Sequence, residues 1–265
     1  MADGLYAFLV AVAVLVSVGL FFGMLALMEV GRRIGMQRRQ YDAKGYRAGV
    51  GTVEGAVFAL LGLLMAFTFS GAASRFDARR QLIIEETNHI GTAYLRLDLL
   101  PKISQPALRA QFRQYVDARL AFYRKLKDTP AAMAEQVKAS RLQGEIWQQA
   151  VAASYEKGAL PAAAMLLLPA LNAMIDIATT RALAMQIHPP EIIFVMLFGL
   201  ALASALLVGY GMADSKERNW LHMLGLAFVM AAAIYVILDI EYPRFGFIRV
   251  DAFDQALVQL RESMK

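Results

Sequence analysis

The amino-acid sequence predicts an all-α integral membrane protein with four transmembrane helices and a helical extramembrane domain between the second and third helices. Hydrophobic residues make up 58 % of the 265 residues, which excludes an ordinary soluble domain. Four apolar runs are each close to the ~20 residues needed to cross a ~30 Å hydrocarbon core. Because the runs are continuous rather than alternating, they indicate helices and not barrel strands.

The four runs define the predicted domain organisation. They cover residues 6–28, 50–73, 192–212 and 221–238. The first run is expected to remain as an anchor, because no basic residue precedes it and it is too long for a signal peptide. The predicted parts are residues 1–74 with spans one and two, 75–189 as the extramembrane domain, 190–240 with spans three and four, and 241–265 as a tail with a short amphipathic helix.

The linker between the first two spans is basic. Against the single acid Asp42 it carries Arg32, Arg33, Arg38, Arg39, Lys44 and Arg47. The positive-inside rule therefore places this linker in the cytoplasm and the extramembrane domain, with both termini, outside. Lys216 and Arg218 in the linker between spans three and four agree, although arginines on the opposite side make the bias modest.

The second span carries small residues at helical spacing on one face. Such a stripe lets helices approach closely in lipid, and Gly55, Gly62 and Ala66 are its predicted packing residues. The adjacent face carries Phe58, Leu61, Met65 and Phe69, which we interpret as a candidate pore constriction. The alternative is that these bulky side chains contact lipid or neighbouring helices.

A charged cluster follows the second span without a helix-breaking residue. We expect Arg75, Asp77, Arg79 and Arg80 to form a pore mouth, because charges beside a span often mark an ion path. In the alternative interpretation, the arginines extend to lipid headgroups and Asp77 forms a local helical pair.

The helical pattern of the second span continues through residues 76–100, until Pro101 stops it. Further helices are predicted at 105–128, 131–156 and 161–184. The first has an apolar face made of Leu108, Phe112, Tyr115, Val116, Leu120 and Tyr123. The C-terminal helix presents Phe253, Leu257, Leu260 and Met264 on one face, which we expect to dock on the extramembrane domain or the membrane surface.

The sequence gives little support for catalysis or metal binding. It has no cysteine, and its three histidines lie in separate elements without further residues at ligand spacing. Hydrolase signatures are missing, so we predict no enzyme, no catalytic residue, no metal and no cofactor. The basic residues gather at membrane boundaries rather than on a folded face, which argues against nucleic-acid binding. Asp239, Glu241 and Arg244 form a possible structural clasp, with cation binding as the alternative.

Three motifs resemble a known family. Residues 61–80 (LGLLMAFTFSGAASRFDARR), 85–101 (EETNHIGTAYLRLDLLP) and 244–255 (RFGFIRVDAFDQ) resemble the bacterial bestrophin-like membrane proteins of unknown function. More distantly, Phe69, Arg75, Phe76 and Asn88 are similar to the second helix of bestrophins, which lines the neck of a pentameric anion channel. Bestrophins keep the region between helices two and three in the cytoplasm, opposite to the topology that the charge count indicates.

The resemblance implies an oligomeric ion channel, anion-conducting and pentameric, in a bacterial inner membrane. Its partners would be the lipid bilayer, inorganic ions and further copies of the chain, with Arg75, Arg79 and Arg80 attracting anions. The alternative is a non-conducting membrane scaffold or sensor whose extramembrane domain binds a partner. A cation-driven stator-like channel needs an acid deep in a span, and Glu54 lies too near an end for that role.

Overall fold

The computed structural model describes residues 2–42, 45–46, 48–126, 128–214, 218–244 and 246–264, with side chains from residue 12 onward. Lys44, Arg47, Lys216 and Phe245, which the sequence analysis used, lie outside the described residues. The described chain forms α-helices and three short 3₁₀ turns, without a strand, which confirms the all-α prediction. The helices are α1 (Ala2–Tyr41), α2 (Val50–Arg96), α3 (Gln105–Arg124), α4 (Thr129–Ser154), α5 (Ala163–Ala184), α6 (Glu191–Gly211), α7 (Trp220–Glu241) and α8 (Gln255–Ser263).

Five of the described helices are long and apolar enough to cross a membrane: α1, α2, α5, α6 and α7. Four of them contain the predicted spans. The fifth, α5, is the helix that the sequence analysis placed in the extramembrane domain, so the count of four spans is not confirmed. Helix α2 is more than twice the length a bilayer needs. Its apolar part is the first half, residues 50–73, and charged residues begin at Arg75.

The chain divides into two compact units. We call the first the span unit; it consists of Phe8–Arg75 and His188–Ile248. We call the second the domain unit; its main part is Phe76–Ile187, joined by the C-terminal residues from Arg249 onward. Helix α2 contributes to both units, because it continues past Arg75 without interruption.

Close packing in the span unit depends on glycines of α1 and α6. A Cβ atom on Gly31 would overlap the carbonyl oxygen of Leu206, and one on Gly209 would overlap the backbone of Met28. Only glycine lets two backbones approach this closely. Glycines therefore mediate a close contact between α1 and α6, while the packing role predicted for the small residues of the second span stays a prediction.

The core of the domain unit is formed by α3, α4 and α5 with the last turns of α2. The predicted apolar face of α3 is buried, with Phe112, Tyr115 and Val116 fully inaccessible to solvent. Leu257 and Met264, from α8 and the residue after it, join the same core. The C-terminal helix therefore packs on the domain unit.

A buried ionic network also lies inside the domain unit. Glu86 of α2 accepts a hydrogen bond from Arg119 Nε at 2.6 Å and pairs with Arg181 of α5. Arg181 Nη2 donates to Asp254 Oδ1 at 2.8 Å. The two positive charges of Arg119 and Arg181 cancel the two negative charges of Glu86 and Asp254. The network therefore ties α2, α3, α5 and the C-terminal segment together without leaving a net buried charge.

Burial and the neighbouring cations act on Glu86 in opposite directions. Burial alone would raise the pKa of the Glu86 carboxyl, but the guanidinium groups of Arg119 and Arg181 outweigh it and hold this pKa below its ordinary value. Glu86 is therefore ionised at neutral pH, as the pairing geometry requires.

Candidate conduction face and charged layer

The other described residues leave much of helix α2 uncovered, and one of its exposed faces carries mainly small side chains in its apolar half. We call this the free face. Its positions are separated by four, four and three residues in turn, which repeats every 11 residues. This spacing is close to the 3.6-residue period of an α-helix, so the positions lie on one side of α2. Exposed members in the span unit are Gly51, Gly55, Ala59, Gly62, Ala66 and Ser70; those in the domain unit are Asp77, Gln81, Ile84, Asn88, Thr92 and Leu95. Half-buried Ala73 completes the register.

The predicted packing residues lie on the free face. Gly55, Gly62 and Ala66 are exposed, and a Cβ atom on Gly55 or Gly62 would meet no other atom within 4 Å. Among the described residues, no other helix covers these three positions. Their small size is available only to lipid, water or another copy of the chain.

The four predicted constriction residues do not share one environment. Leu61 is 1 % exposed and lies inside its own unit, whereas Phe69 is 46 % exposed. Phe58 and Met65 are half-buried between these extremes. Phe69 follows Gly62 by seven residues, or about two helical turns, which places its ring beside the free face. Of the four, Phe69 presents the most surface to a neighbour or a lumen.

The predicted pore mouth is also divided. Arg75 donates from Nε and Nη2 to Glu241 Oε2 at 3.0 and 2.7 Å. Arg79 is buried and donates to the carbonyl oxygens of Ala184 and Ile187 at 3.3 and 3.0 Å. These two guanidinium groups are held by acceptors of their own chain.

Arg80 and Asp77 form a pair on the domain unit. Arg80 Nη1 donates to Asp77 Oδ1 at 2.9 Å. The Arg80 Cζ atom lies 4.2 Å from the ring centroid of Phe253 and 5.6 Å from that of Phe76, which are cation–π distances. The Asp77 side chain is 69 % exposed and that of Arg80 38 %. The carboxylate, and not the arginine, is the more accessible charge of this pair.

A charged layer surrounds Glu241 at the end of α7 in the span unit. Glu241 is fully buried, and besides Arg75 it lies 3.0 Å from Nδ1 of His188. The His188 ring stacks on Tyr242 with ring centroids 4.7 Å apart. This carboxylate therefore connects α2, the segment before α6 and the end of α7, and it satisfies its buried oxygens with charge-assisted bonds.

Asp239, the second acid of the predicted clasp, has different partners. It accepts hydrogen bonds from the backbone N–H groups of Phe247 and Ile248 at 3.0 and 2.7 Å, and from the Tyr235 hydroxyl at 3.2 Å. A Cβ atom on Gly246 would overlap the Asp239 carboxylate. Asp239 thus shapes the turn after α7. Arg244 lies half-buried in that turn.

The buried ionic network of the domain unit was not predicted, although the sequence contains a signal for it. Arg119 lies four residues after Tyr115 and three after Val116, in the middle of the apolar face of α3. A charge in that register must be paired if the face is buried. For the charged layer, local sequence gives no such signal, because Arg75 and Glu241 are 166 residues apart.

Among the described residues, no three His, Asp or Glu side chains gather as metal ligands.

Comparison with known proteins gives one family and one fold. A family profile described as a Bestrophin-like domain matches residues 18–252. Two crystal structures of a bacterial Bestrophin homolog from Klebsiella pneumoniae, each with one substitution, are similar to this chain at 13 % sequence identity and a TM-score of 0.64. The match covers 91 % of this chain and 98 % of the first structure's, and 92 % and 97 % for the second. At this identity the likeness shows a shared fold. None of the curated proteins matches the chain.

Proposed function

The chain belongs to the Bestrophin-like family, and from this membership we propose that several copies assemble into an ion channel whose conduction path is lined by α2. Characterised members of the family are ion channels. The observation that carries the proposal for this chain is the free face. This face is long, it lies on a single helix, and the described residues of the same chain leave it uncovered.

The composition of the free face favours a water-filled axis over lipid. In residues 50–73 the side chains on this face are all small and uncharged, which suits contact with either lipid or water. Beyond them the same register carries Asp77, Gln81, Asn88 and Thr92, which need water or polar partners, together with the exposed apolar residues Ile84 and Leu95. A face of this kind is expected when α2 helices from several copies surround a common lumen.

The candidate constriction centres on Phe69. Glycine and alanine at the neighbouring free-face positions would leave a wide lumen, which a ring of phenylalanines would narrow. Phe58 and Met65 flank the same face, while Leu61 is turned into its own unit and is left out of the proposed lining. A narrow apolar ring can stop ion flow by dewetting, and a small rotation of α2 would then open it.

The proposed setting is a bacterial inner membrane, with lipid around the apolar helices and inorganic ions in the lumen. Five copies are proposed by resemblance to bestrophins. The orientation of the chain in the membrane follows from one of two arguments. The basic linker places the domain unit outside the cytoplasm, whereas the topology of bestrophins places it inside. A protease-protection assay on the domain unit in oriented vesicles distinguishes these two.

Reconstitution into liposomes tests the proposal, with ion flux recorded for wild type, Phe69→Ala and Phe67→Ala. Phe67 is the matched control, because it is 67 % exposed on the same helix but points about 200° away from Phe69. We expect Phe69→Ala to raise flux severalfold and Phe67→Ala to leave it unchanged. A folded protein without flux at any pH, voltage or Ca²⁺ concentration would favour the non-conducting scaffold instead.

A further inference from the structure

We infer that the span unit binds an organic ammonium ion, an amine carried on a short apolar chain, in a cavity between α1, α6 and α7. We call it the aromatic cavity; Phe194, Phe198, Tyr235 and Tyr242 line it together with Asp239. The described residues around it belong to α1, α6, α7 and the turn after α7, and not to α2. Binding there is therefore independent of conduction along the free face.

The aromatic cavity is large for the interior of a helical unit. Its volume is about 230 Å³, whereas close-packed protein interiors contain few voids larger than a water molecule. Val12 and Val16 of α1 and Leu238 of α7 contribute apolar walls. At ~30 Å³ for each water-sized group, the space is sufficient for a short alkyl chain.

Aromatic side chains form much of the remaining wall. Phe194 and Phe198 lie about one turn apart on α6, while Tyr235 lies in the second half of α7 and Tyr242 is the C-cap of that helix. The faces of aromatic rings attract cations electrostatically, and proteins use aromatic cages to bind organic ammonium groups. The walls thus suit both the chain and the charged end of such a ligand.

Asp239 supplies the negative charge. It is 5 % exposed and lines the cavity. Its donors are the N–H groups of Phe247 and Ile248 and the Tyr235 hydroxyl, which are all neutral, and no basic side chain of the described residues forms an ion pair with it. Two of these donors bind Oδ1 and one binds Oδ2. A carboxylate accepts about four hydrogen bonds, so Oδ2 retains a position for a ligand.

Glu241 shows the arrangement that Asp239 lacks. Glu241 is also buried, but Arg75 Nη2 donates to it at 2.7 Å, in agreement with the rule that buried acids are paired. For Asp239, a bound cation would take the place of such an arginine.

The side chains of the aromatic cavity favour an organic cation over a metal ion. Hard metal ions such as Ca²⁺ require about six to eight oxygen ligands. The side chains that line this cavity offer one carboxylate and two tyrosine hydroxyls beside apolar walls. An ammonium group needs fewer oxygens, and its chain gains from burial against those walls.

Isothermal titration of the full chain in dodecylmaltoside with hexylammonium, ethylammonium and hexanol tests this site, after subtraction of the partition of each compound into empty micelles. At pH 7 the amines are protonated. We expect hexylammonium to bind about tenfold more tightly than hexanol, because a charge-assisted hydrogen bond replaces a neutral one. Ethylammonium keeps the charge but buries less chain, so it should bind more weakly than hexylammonium.

Two variants separate the two parts of the site. Asp239→Asn should bring the affinity for hexylammonium to within about twofold of that for hexanol. Because Asp239 also shapes the turn after α7, Ala13→Leu provides a second variant: it fills the cavity from α1 without changing the carboxylate, and should abolish binding of both compounds. Ala203→Leu, at an exposed position of α6, is the matched control and should bind as wild type does.

Mass spectrometry of the organic extract identifies the source of the ammonium group. An amine-bearing lipid that copurifies with wild type in stoichiometric amount, is displaced by hexylammonium and is missing from Ala13→Leu would mean that the bilayer supplies the ligand. Hexylammonium binding without such a lipid would mean that the ligand is a free amine.

Three results would overturn the inference: hexanol binding as tightly as hexylammonium, hexylammonium binding that folded Ala13→Leu leaves unchanged, or wild type that binds none of the three compounds. None of these measurements involves ion flux, so the proposed function stands or falls separately.

Discussion

Arg75 of α2 donates to both oxygens of Glu241 at the end of α7, with Nε–Oε1 and Nε–Oε2 distances of 3.1 and 3.0 Å. Glu241 is fully buried, whereas the Arg75 side chain is 26 % exposed. The two ends of this pair are therefore unequal: the carboxylate depends on its partner, while the guanidinium can still reach solvent. The pair fixes the end of the apolar part of α2 against the end of α7.

This inequality predicts an asymmetric effect of substitution. Arg75→Gln leaves a buried carboxylate without its guanidinium partner and should lower the free energy of unfolding by about 2–4 kcal/mol, less than a fully buried pair because Arg75 is partly exposed. Glu241→Gln leaves an arginine that can hydrate, and should lower it by less. Thermal unfolding in detergent measures both. Equal losses would contradict the assigned roles.

Arg80→Gln is the control for this comparison. Arg80 forms an exposed pair with Asp77 on the same helix, and exposed pairs contribute about 0–1 kcal/mol. Because the Arg80 guanidinium also packs on the Phe253 ring at 4.2 Å, the unfolding temperature of Arg80→Gln should fall slightly, and by clearly less than that of Arg75→Gln. A loss as large as that of Arg75→Gln would mean that any arginine in this stretch stabilises the helix equally.

The network around Glu86 predicts a dependence of stability on pH. Because the folded-state pKa of Glu86 is lowered, its contribution is fully present above the ordinary glutamate pKa and is lost as pH falls through the lowered value. Wild type should therefore lose thermal stability progressively in acid. Glu86→Gln should be less stable by about 3–5 kcal/mol at pH 7, because it leaves two buried arginines short of a partner.

The shape of the pH curve separates this explanation from simple damage to the core. The Glu86→Gln curve should be flatter than the wild-type curve in the acid range below the ordinary glutamate pKa, since the titrating group is gone. Asp117→Asn, which removes a surface acid of the same unit, should keep most of the wild-type slope. Parallel curves for wild type and Glu86→Gln would refute the role of this carboxyl.

The contact between α1 and α6 predicts opposite effects for two glycines of one helix. Gly209→Ala places a methyl group into the Met28 backbone and should lower the free energy of unfolding by about 1–3 kcal/mol or more. A Cβ atom at Gly199 meets nothing within 4 Å, so Gly199→Ala should be neutral or slightly stabilising. Thermal unfolding of the two variants decides the point, and a similar loss for both would show that the close approach is not what matters.

The free face predicts contact between copies, and the cysteine-free sequence makes this easy to measure. Gly62→Cys and Ala66→Cys each introduce the chain's single thiol on that face. Bifunctional thiol reagents should link copies of these variants in membranes, as seen by denaturing electrophoresis. Leu61→Cys, one residue away but buried, should not be linked. Efficient linking through Leu61→Cys alone would mean that a different face of α2 meets its neighbours.

Local patterns in the sequence were sufficient for much of the fold. The apolar runs, the break at Pro101 and the amphipathic face of α3 each depend on residues close in sequence, and most helices begin and end near the predicted positions. The exception is α1, which continues to Tyr41 and includes basic residues that the sequence analysis assigned to a linker. The 3.6-residue period determines which residues share a face, so the small stripe of α2 was also recognisable. The helical period does not determine which face of a helix packs against the rest of the chain.

That rotation explains the differences at the site. Leu61 and Phe69 belong to neighbouring arcs of the same helix, and only the packing of α2 against the rest of its chain decides that Leu61 is buried and Phe69 exposed. The arginines pose the same problem at longer range. The partners of Arg75 and Arg79 lie more than 100 residues away in sequence, so local sequence alone makes both look like free cations.

Modification of a single thiol on the free face during flux recording tests the central claim most directly. In Ala66→Cys liposomes, a water-soluble methanethiosulfonate reagent should react and reduce ion flux, because the bulky adduct would occupy the lumen. Phe67→Cys, about 100° around α2 from Ala66, serves as the control and should conduct as before. Complete modification of Ala66→Cys with unchanged flux, or an introduced thiol that stays unreactive in this variant, would contradict an ion path along the free face.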